Sequence, residues 1–112
     1  MNKKDLFNLF ESVSIISGDE YYIPISNSEH FVTECKENNF AIIGIDGFKY
    51  VRGKIVPDLE IIADFVAPVE DNWNDFKENC NEEADRFIQH YIGLKDLFLN
   101  FVILSETEYK TM

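Results

Sequence analysis

Basic residues are scarce in this sequence: its 112 residues include 10 Lys and Arg against 21 Asp and Glu, a formal net charge of -11. A surface with this excess of negative charge repels phosphate groups. We therefore expect no binding to nucleic acid or to anionic membranes, and we expect a basic molecule as the natural partner. Acidity that serves only solubility is the alternative interpretation.

Cysteine and long apolar runs are also in short supply. The two cysteines, Cys35 and Cys80, form no CxxC pair, so we expect free, partly buried thiols in a reducing compartment. No apolar run reaches transmembrane length, and no apolar stretch of signal-peptide length follows the first residues. The sequence therefore predicts a soluble, cytoplasmic protein.

Residues that would carry chemistry are few. Besides the cysteines, only His30 and His90 are soft or borderline metal ligands, and no pair has zinc-signature spacing. The sequence has no phosphate-cradling glycine loop and no nucleophile elbow. Asp46 could act as a general base at a strand end, but a turn explains Asp46 and Gly47 together. We expect no metal, no cofactor and no catalytic activity.

What the sequence does contain is a central apolar segment. Phe40–Ile45 is a run of large and β-branched residues bounded by Asn38-Asn39 and Asp46-Gly47, which predicts a buried strand. Asp-Gly between two β-rich runs is typical of a tight hairpin turn. We therefore predict that Phe48–Val51 returns antiparallel to the first strand.

Helical periodicity marks three other segments. Leu6, Leu9, Phe10 and Val13 are spaced as one face of a helix that ends before Gly18. A second helix, over residues 28–38, would bury Phe31, Val32 and Cys35. The third runs from Asp71 to Tyr91. A break at residues 81–83, which would divide it into two shorter helices, is an alternative.

Extended segments complete the predicted fold. Tyr21–Ile25 contains a proline, which predicts an edge strand or an extended segment. Leu59–Phe65 alternates, with Leu59, Ile61, Ala63 and Phe65 on one apolar face. Leu97–Leu104 is a last strand, and residues 105–112 form a polar tail. The prediction is a single α+β domain over residues 1–112, with a mostly antiparallel sheet and helices packed on one face.

Most of the negative charge lies between Ile55 and Leu94. This segment has ten acidic residues and only two basic ones, Lys77 and Arg86. A solvated helix face is the simplest explanation. However, unneutralised acids one or two turns apart repel one another, so stability alone would favour more lysines. Binding a basic partner would offset that repulsion and speed association.

The segment Glu34–Phe48 resembles part of the immunity proteins that protect bacteria from tRNA-cleaving colicins. In that family a helix ends in polar residues and leads into an apolar strand with a Gly-Ile-Asp-Gly corner, matched here by residues 44–47. Leu99–Leu104 resembles the family's closing strand. The resemblance implies an inhibitor that sits in the cleft of a basic ribonuclease toxin, with carboxylates and aromatics in place of RNA phosphates and bases.

Carried onto this sequence, the resemblance implies contacts on the outer face of the Leu59–Phe65 strand and at the start of the long helix. The candidate partner-binding residues are Asp58, Glu60, Asp64, Asp71, Trp73, Asp75 and Glu78. Trp73 has a competing interpretation, because its helical register makes it a core residue. The expected partner is a cognate toxin, a nuclease delivered by a colicin or a contact-dependent inhibition system.

Two other functions are compatible with the sequence. A phage-encoded nucleic-acid mimic that blocks a host DNA-binding or CRISPR protein would use the same acidic surface. A small-ligand-binding or enzymatic domain would instead use Asp46 and His30, and it requires a deep pocket with convergent polar groups.

Overall fold

A computed structural model describes residues 1–65 and 72–111 of the chain. A short 3₁₀ turn, Ile25–Asn27, precedes the second helix, and no described helix is both long and apolar enough to cross a membrane. In chain order the other elements are α1 (Lys3–Asn8), β1 (Ile15–Ser17), β2 (Glu20–Pro24), α2 (Ser28–Glu37), β3 (Phe40–Val51), β4 (Lys54–Asp64), α3 (Trp73–Tyr91), β5 (Leu97–Ser105) and α4 (Glu106–Lys110).

The strands form one antiparallel sheet in the order β1-β2-β5-β3-β4, which confirms the predicted α+β class. One face of β3 and β5 is buried, and it includes Ile42, Ile45 and Phe101. Phe31 of α2 stacks on Phe101 with ring centroids 4.3 Å apart, and Leu6 of α1 joins the same cluster. Helices α1 and α2 therefore cover this face.

The predicted turn at Asp46-Gly47 is wrong. β3 runs without interruption to Val51, and the chain reverses at Arg52-Gly53, where φ is 51° and 79°. Positive φ at both central residues is the geometry that matches the twist of a two-residue hairpin. Gly47 serves a close approach instead, because a Cβ at this position would lie 2.5 Å from Cγ2 of Ile61.

The register between β3 and β4 shifts beside Gly47. Asp46 is opposite Ile62, but Gly47 is opposite Asp58, so residues 59–61 bulge out of the ladder. As a consequence Leu59 is 79% exposed, although the alternating pattern predicts it on the apolar face with buried Ile61.

Two predictions near the N-terminus also need correction. α1 ends at Asn8, and Leu9 and Val13 are exposed, because the chain turns away and Ile15–Ser17 pairs with β2. β2 is not an edge strand, since it lies between β1 and β5. Its proline is tolerated because it is the last residue of the strand.

Helix α3 is continuous, without the break considered at residues 81–83, and it begins after Asn72, whose side chain caps it. β4 pairs with β3 only from Gly44 onward, so in the described part of the chain no strand pairs with the first residues of β3 on that side. The buried side chain of Asn81 fills this role: its amide accepts a hydrogen bond from the Ile42 N–H (2.9 Å) and donates one to the Phe40 carbonyl (3.0 Å). α3 is thereby fixed along the open edge of β3.

Within the predicted polar tail, residues 105–112, the segment Glu106–Lys110 forms α4, which has no buried residue. Ser105 and Glu108 make a reciprocal capping box at its start. Tyr109 packs against Trp73 and Phe76, with ring centroids 5.3 and 4.6 Å away. These aromatic contacts close a second, smaller core cluster around Cys80.

The packing of α4 should depend on pH, because the pKa values of two of its glutamates are shifted. The Lys110 ammonium and the Asn39 amide lower the pKa of Glu106, and the Lys3 ammonium and the Ser105 N–H lower the pKa of Glu108. Because both pKa values are lower folded than unfolded, their stabilisation is present above the ordinary glutamate pKa and is lost as the pH falls through the folded values.

We therefore expect α4 to detach below about pH 4. The fluorescence emission of Trp73, the single tryptophan, reports this step, because the Tyr109 ring moves away from the Trp73 ring when α4 detaches. A double variant, Glu106→Gln with Glu108→Gln, should lack the transition. Emission that changes identically in the two proteins would show that other groups control it.

Candidate partner-binding surface

The second face of the sheet is open to solvent at its centre. On β5 and β3 this face carries Asn100 and Val102 opposite Asp46 and Gly44. Val102 is 47% exposed, and Ile62 of β4, directly opposite Asp46, is 50% exposed. Carboxylates and exposed apolar side chains therefore share one surface, a mixture suited to a protein partner.

The three candidate acids of β4 do not have equal roles. Asp58 is only partly exposed: it pairs with Lys49 at 3.5 Å and accepts a hydrogen bond from the Glu60 N–H at 3.2 Å. It stabilises the bulge and is a poor candidate contact. Glu60 and Asp64 are exposed, and neither forms an ion pair with another described residue. Their charges are available to a partner.

The acids of α3 divide in the same way. In its second half, Arg86 pairs with both Glu82 and Glu83, and Lys36 of α2 pairs with Asp85 at 3.3 Å. In its first half, Asp75 and Glu78 are exposed, and neither forms an ion pair within the described part of the chain.

Asp75 also has a structural role. It lies in the first turn of α3, where a negative charge is favoured by the helix dipole. Glu78 lies one turn further along and lacks that explanation. Glu60 and Asp64 of β4 and Glu78 of α3 are therefore the best candidate contacts, and we call these three exposed, unpaired residues the acidic surface.

Of the remaining two candidate residues, Trp73 is not available as a contact. Trp73 is 6% exposed, and its Nε1–H donates to Oδ1 of Asn39 at 2.9 Å, as its core interpretation requires. This burial supports the core interpretation of Trp73 and not its assignment as a partner-binding residue. Asp71 lies outside the described residues.

The described residues form neither the Asp46–His30 site nor the metal site that were considered from the sequence. Asp46 lies on the open face of the sheet, whereas His30 is exposed on α2, which covers the other face. His30 instead contacts Glu34 and the Phe10 ring. No group of three metal-ligating side chains is found in residues 1–65 and 72–111.

Both cysteines are free, as predicted, and they are fully rather than partly buried. Burial, with a smaller effect from the nearby Glu34 carboxylate, raises the pKa of the Cys35 thiol far above its usual value. A thiol held protonated in this way is a weak nucleophile. Cys80 donates to the Phe65 carbonyl at 3.2 Å, so its role is also structural.

Sequence reasoning missed Val102 as a surface residue. It belongs to a continuous apolar run, Phe101–Leu104, which gives no sign that one member faces solvent. The exposure of Val102 follows from strand pairing: Gly44 lies opposite Val102 on β3 and has no side chain that could cover it.

Comparison with known proteins gives no family assignment: no protein-family model matches the chain, and no curated protein matches it significantly. The Gly-Ile-Asp-Gly motif that carries the immunity-protein resemblance is not a corner in this structure. Residues 44–47 lie inside β3, where the register with β5 shifts just before Gly44 and the register with β4 shifts between Asp46 and Gly47.

Proposed function

We propose that this chain is an immunity protein that binds a cognate basic toxin, a ribonuclease domain, and blocks its active site with an acidic surface. The observation that supports the proposal is the division of the acids. Glu60, Asp64 and Glu78 have no ion-pair partner among the described residues, whereas Glu82 and Glu83 pair with Arg86 and Asp85 pairs with Lys36.

The physical reason is the cost of the unpaired charges. Exposed carboxylates without counter-ions gain no ion-pair stabilisation, and like charges that lie close together repel one another. A nuclease that grips RNA carries lysine and arginine in its cleft, and carboxylates placed opposite them give fast, salt-sensitive association. The exposed apolar residues Ile62 and Val102 add area that can be buried on binding.

The partner is identified first by affinity capture from the source organism at low and high salt. The recovered basic protein is then tested in an RNA-cleavage assay with increasing amounts of inhibitor. We expect cleavage to stop at one inhibitor per toxin. A captured basic protein without toxic or nuclease activity, or one whose activity continues at saturation, contradicts the immunity function.

The acidic surface is tested with two triple variants of equal charge change. The first carries Glu60→Gln, Asp64→Asn and Glu78→Gln, and the second carries Glu82→Gln, Glu83→Gln and Asp85→Asn. We expect the first to slow association by about tenfold or more, because it removes electrostatic steering, and to flatten the salt dependence. Stopped-flow or surface-plasmon kinetics give both quantities.

The second triple variant is the matched control, since its acids are already paired and its net charge is the same. It should change the association rate by much less than the first. Equal effects in the two variants would mean that only total charge matters, and no localised surface would then be supported. A nucleic-acid mimic would behave differently, because its captured partner would be a DNA-binding or CRISPR protein.

A further inference from the structure

Strand β1 and the tip of the β3–β4 hairpin enclose an open groove of about 650 Å³. Tyr22 and Phe48 line it and pack edge to face, with ring centroids 4.9 Å apart. Ile16 and Tyr50 also line it, and they are 41% and 48% exposed. An aromatic and aliphatic groove of this size accepts one or two apolar side chains of a bound peptide.

The sign of the charge reverses around this groove. Between Asp46 and Asp58 the chain carries three basic residues, Lys49, Arg52 and Lys54, and no acid. Lys49 is paired with Asp58, but Arg52 and Lys54 have no ion-pair partner within the described residues. Lys54 lines the groove itself. In a protein of net charge -11, this end is suited to an anionic ligand.

The acids within two residues of the groove lining along the chain are Asp19 and Glu20, which follow β1, Asp46, and Asp58, which pairs with Lys49. The Glu20 carboxylate accepts a hydrogen bond from the Asn100 side chain at 2.7 Å, so one of its oxygens already has a partner. Strand β1 pairs only with β2 among the described strands, and its outer edge is open. Backbone groups on an open edge can pair with an added strand.

We propose that this groove binds an extended peptide segment of a partner protein in which apolar side chains alternate with carboxylates. The apolar side chains enter between Ile16 and Tyr50, and the carboxylates meet Arg52 and Lys54. The backbone of the segment adds to the outer edge of β1. This site requires a partner of opposite charge to the one that the acidic surface binds, so it is independent of the proposed function.

The test uses the full chain, labelled with ¹⁵N, and the peptide acetyl-Glu-Phe-Glu-Val-Glu-amide as the probe. We expect saturable amide shifts in β1 and at the hairpin tip. A double variant, Arg52→Asn with Lys54→Gln, should weaken binding by about tenfold or more, since it removes both unpaired cations. Asparagine is chosen for position 52 because it tolerates positive φ.

The matched control carries Lys4→Gln and Lys36→Gln, which change the charge equally on the two helices α1 and α2. This control should bind the peptide within about twofold of the unaltered protein, because both lysines lie outside the groove. The second probe is acetyl-Lys-Phe-Lys-Val-Lys-amide, which should produce no shifts at the hairpin tip. Shifts there with both probes, shifts elsewhere only, or equal losses in the two variants would overturn the proposal.

Discussion

Replacement of Asn81 by alanine should lower the free energy of unfolding by about 2–6 kcal/mol, because two buried backbone groups each lose a hydrogen bond worth about 1–3 kcal/mol. The Ile42 N–H and the Phe40 carbonyl lie on the side of β3 where no described strand pairs with them, and the Asn81 amide is their partner. The side chain is itself completely buried, so its removal also leaves a cavity. Urea denaturation measures the loss.

An Asn81→Asp variant separates hydrogen bonding from packing. Aspartate has the same shape and can still accept from the Ile42 N–H, but it cannot donate to the Phe40 carbonyl when ionised. We expect a loss at neutral pH that becomes smaller as the pH falls, because protonation restores a donor. Hydrogen exchange at the Ile42 amide should quicken in Asn81→Ala.

The control for Asn81 is Asn74→Ala, an exposed position on the same helix. It should change stability by no more than about 0.5 kcal/mol. Unaltered unfolding and continued protection of the Ile42 amide in Asn81→Ala would show that the amide bridge does not hold α3 to the sheet edge.

The elements with long, regular patterns were predictable from sequence. α3 has apolar residues on one face over its whole length, and Asn72 supplies an N-cap side chain at its start. α2 buries Phe31, Val32 and Cys35, as its periodicity predicts. These segments satisfy local propensity and tertiary packing at the same time, so local reasoning is sufficient.

The errors occur where a tertiary contact overrides a local signal. Asp46-Gly47 has the composition of a turn, but Gly47 is required by the close approach of Ile61. Arg52-Gly53 makes the actual turn, with a residue type that seldom takes positive φ. Leu59 follows an alternating pattern, and the bulge in β4 breaks that alternation.

The candidate surface was predictable in composition but not in detail. Charge counting locates the acidic segment, because most of the net charge falls between Ile55 and Leu94. It cannot separate Glu60 and Asp64 from Asp58, which Lys49 neutralises across the hairpin. Nor can it find the exposed Val102, since exposure depends on which strand lies opposite.

On β4 and β5, the buried residues that stabilise the fold and the exposed residues proposed to bind a partner lie on opposite faces of the sheet, so substitutions can test the two roles separately. Ile62, Asp64 and Val102 belong to β4 and β5, which also contribute Ile61 and Phe101 to the buried cluster under the helices. A substitution under the helices therefore changes the amount of folded protein without changing the contact groups. The reverse holds for Glu60 and Asp64, which are exposed.

Phe31→Ala is the variant that tests this separation, and it should destabilise the protein by about 3–5 kcal/mol. The Phe31 side chain is completely buried, and its ring centroid lies 4.3 Å from Phe101, 5.2 Å from Phe10 and 5.3 Å from Phe7. Truncation removes the contact that joins α1 and α2 to the sheet. Denaturant unfolding gives the change in stability, and Leu9→Ala in the same region is the control because Leu9 is exposed.

The Phe31→Ala protein that remains folded should bind a basic partner with unchanged association rate, because Glu60, Asp64 and Glu78 keep their positions. Only the active fraction should fall, and titration against a known amount of partner measures that fraction. A slower association rate per folded molecule would mean that the acidic surface depends on the packing of α2. A Phe31→Ala protein as stable as the original would mean that α2 does not hold the covered face as described.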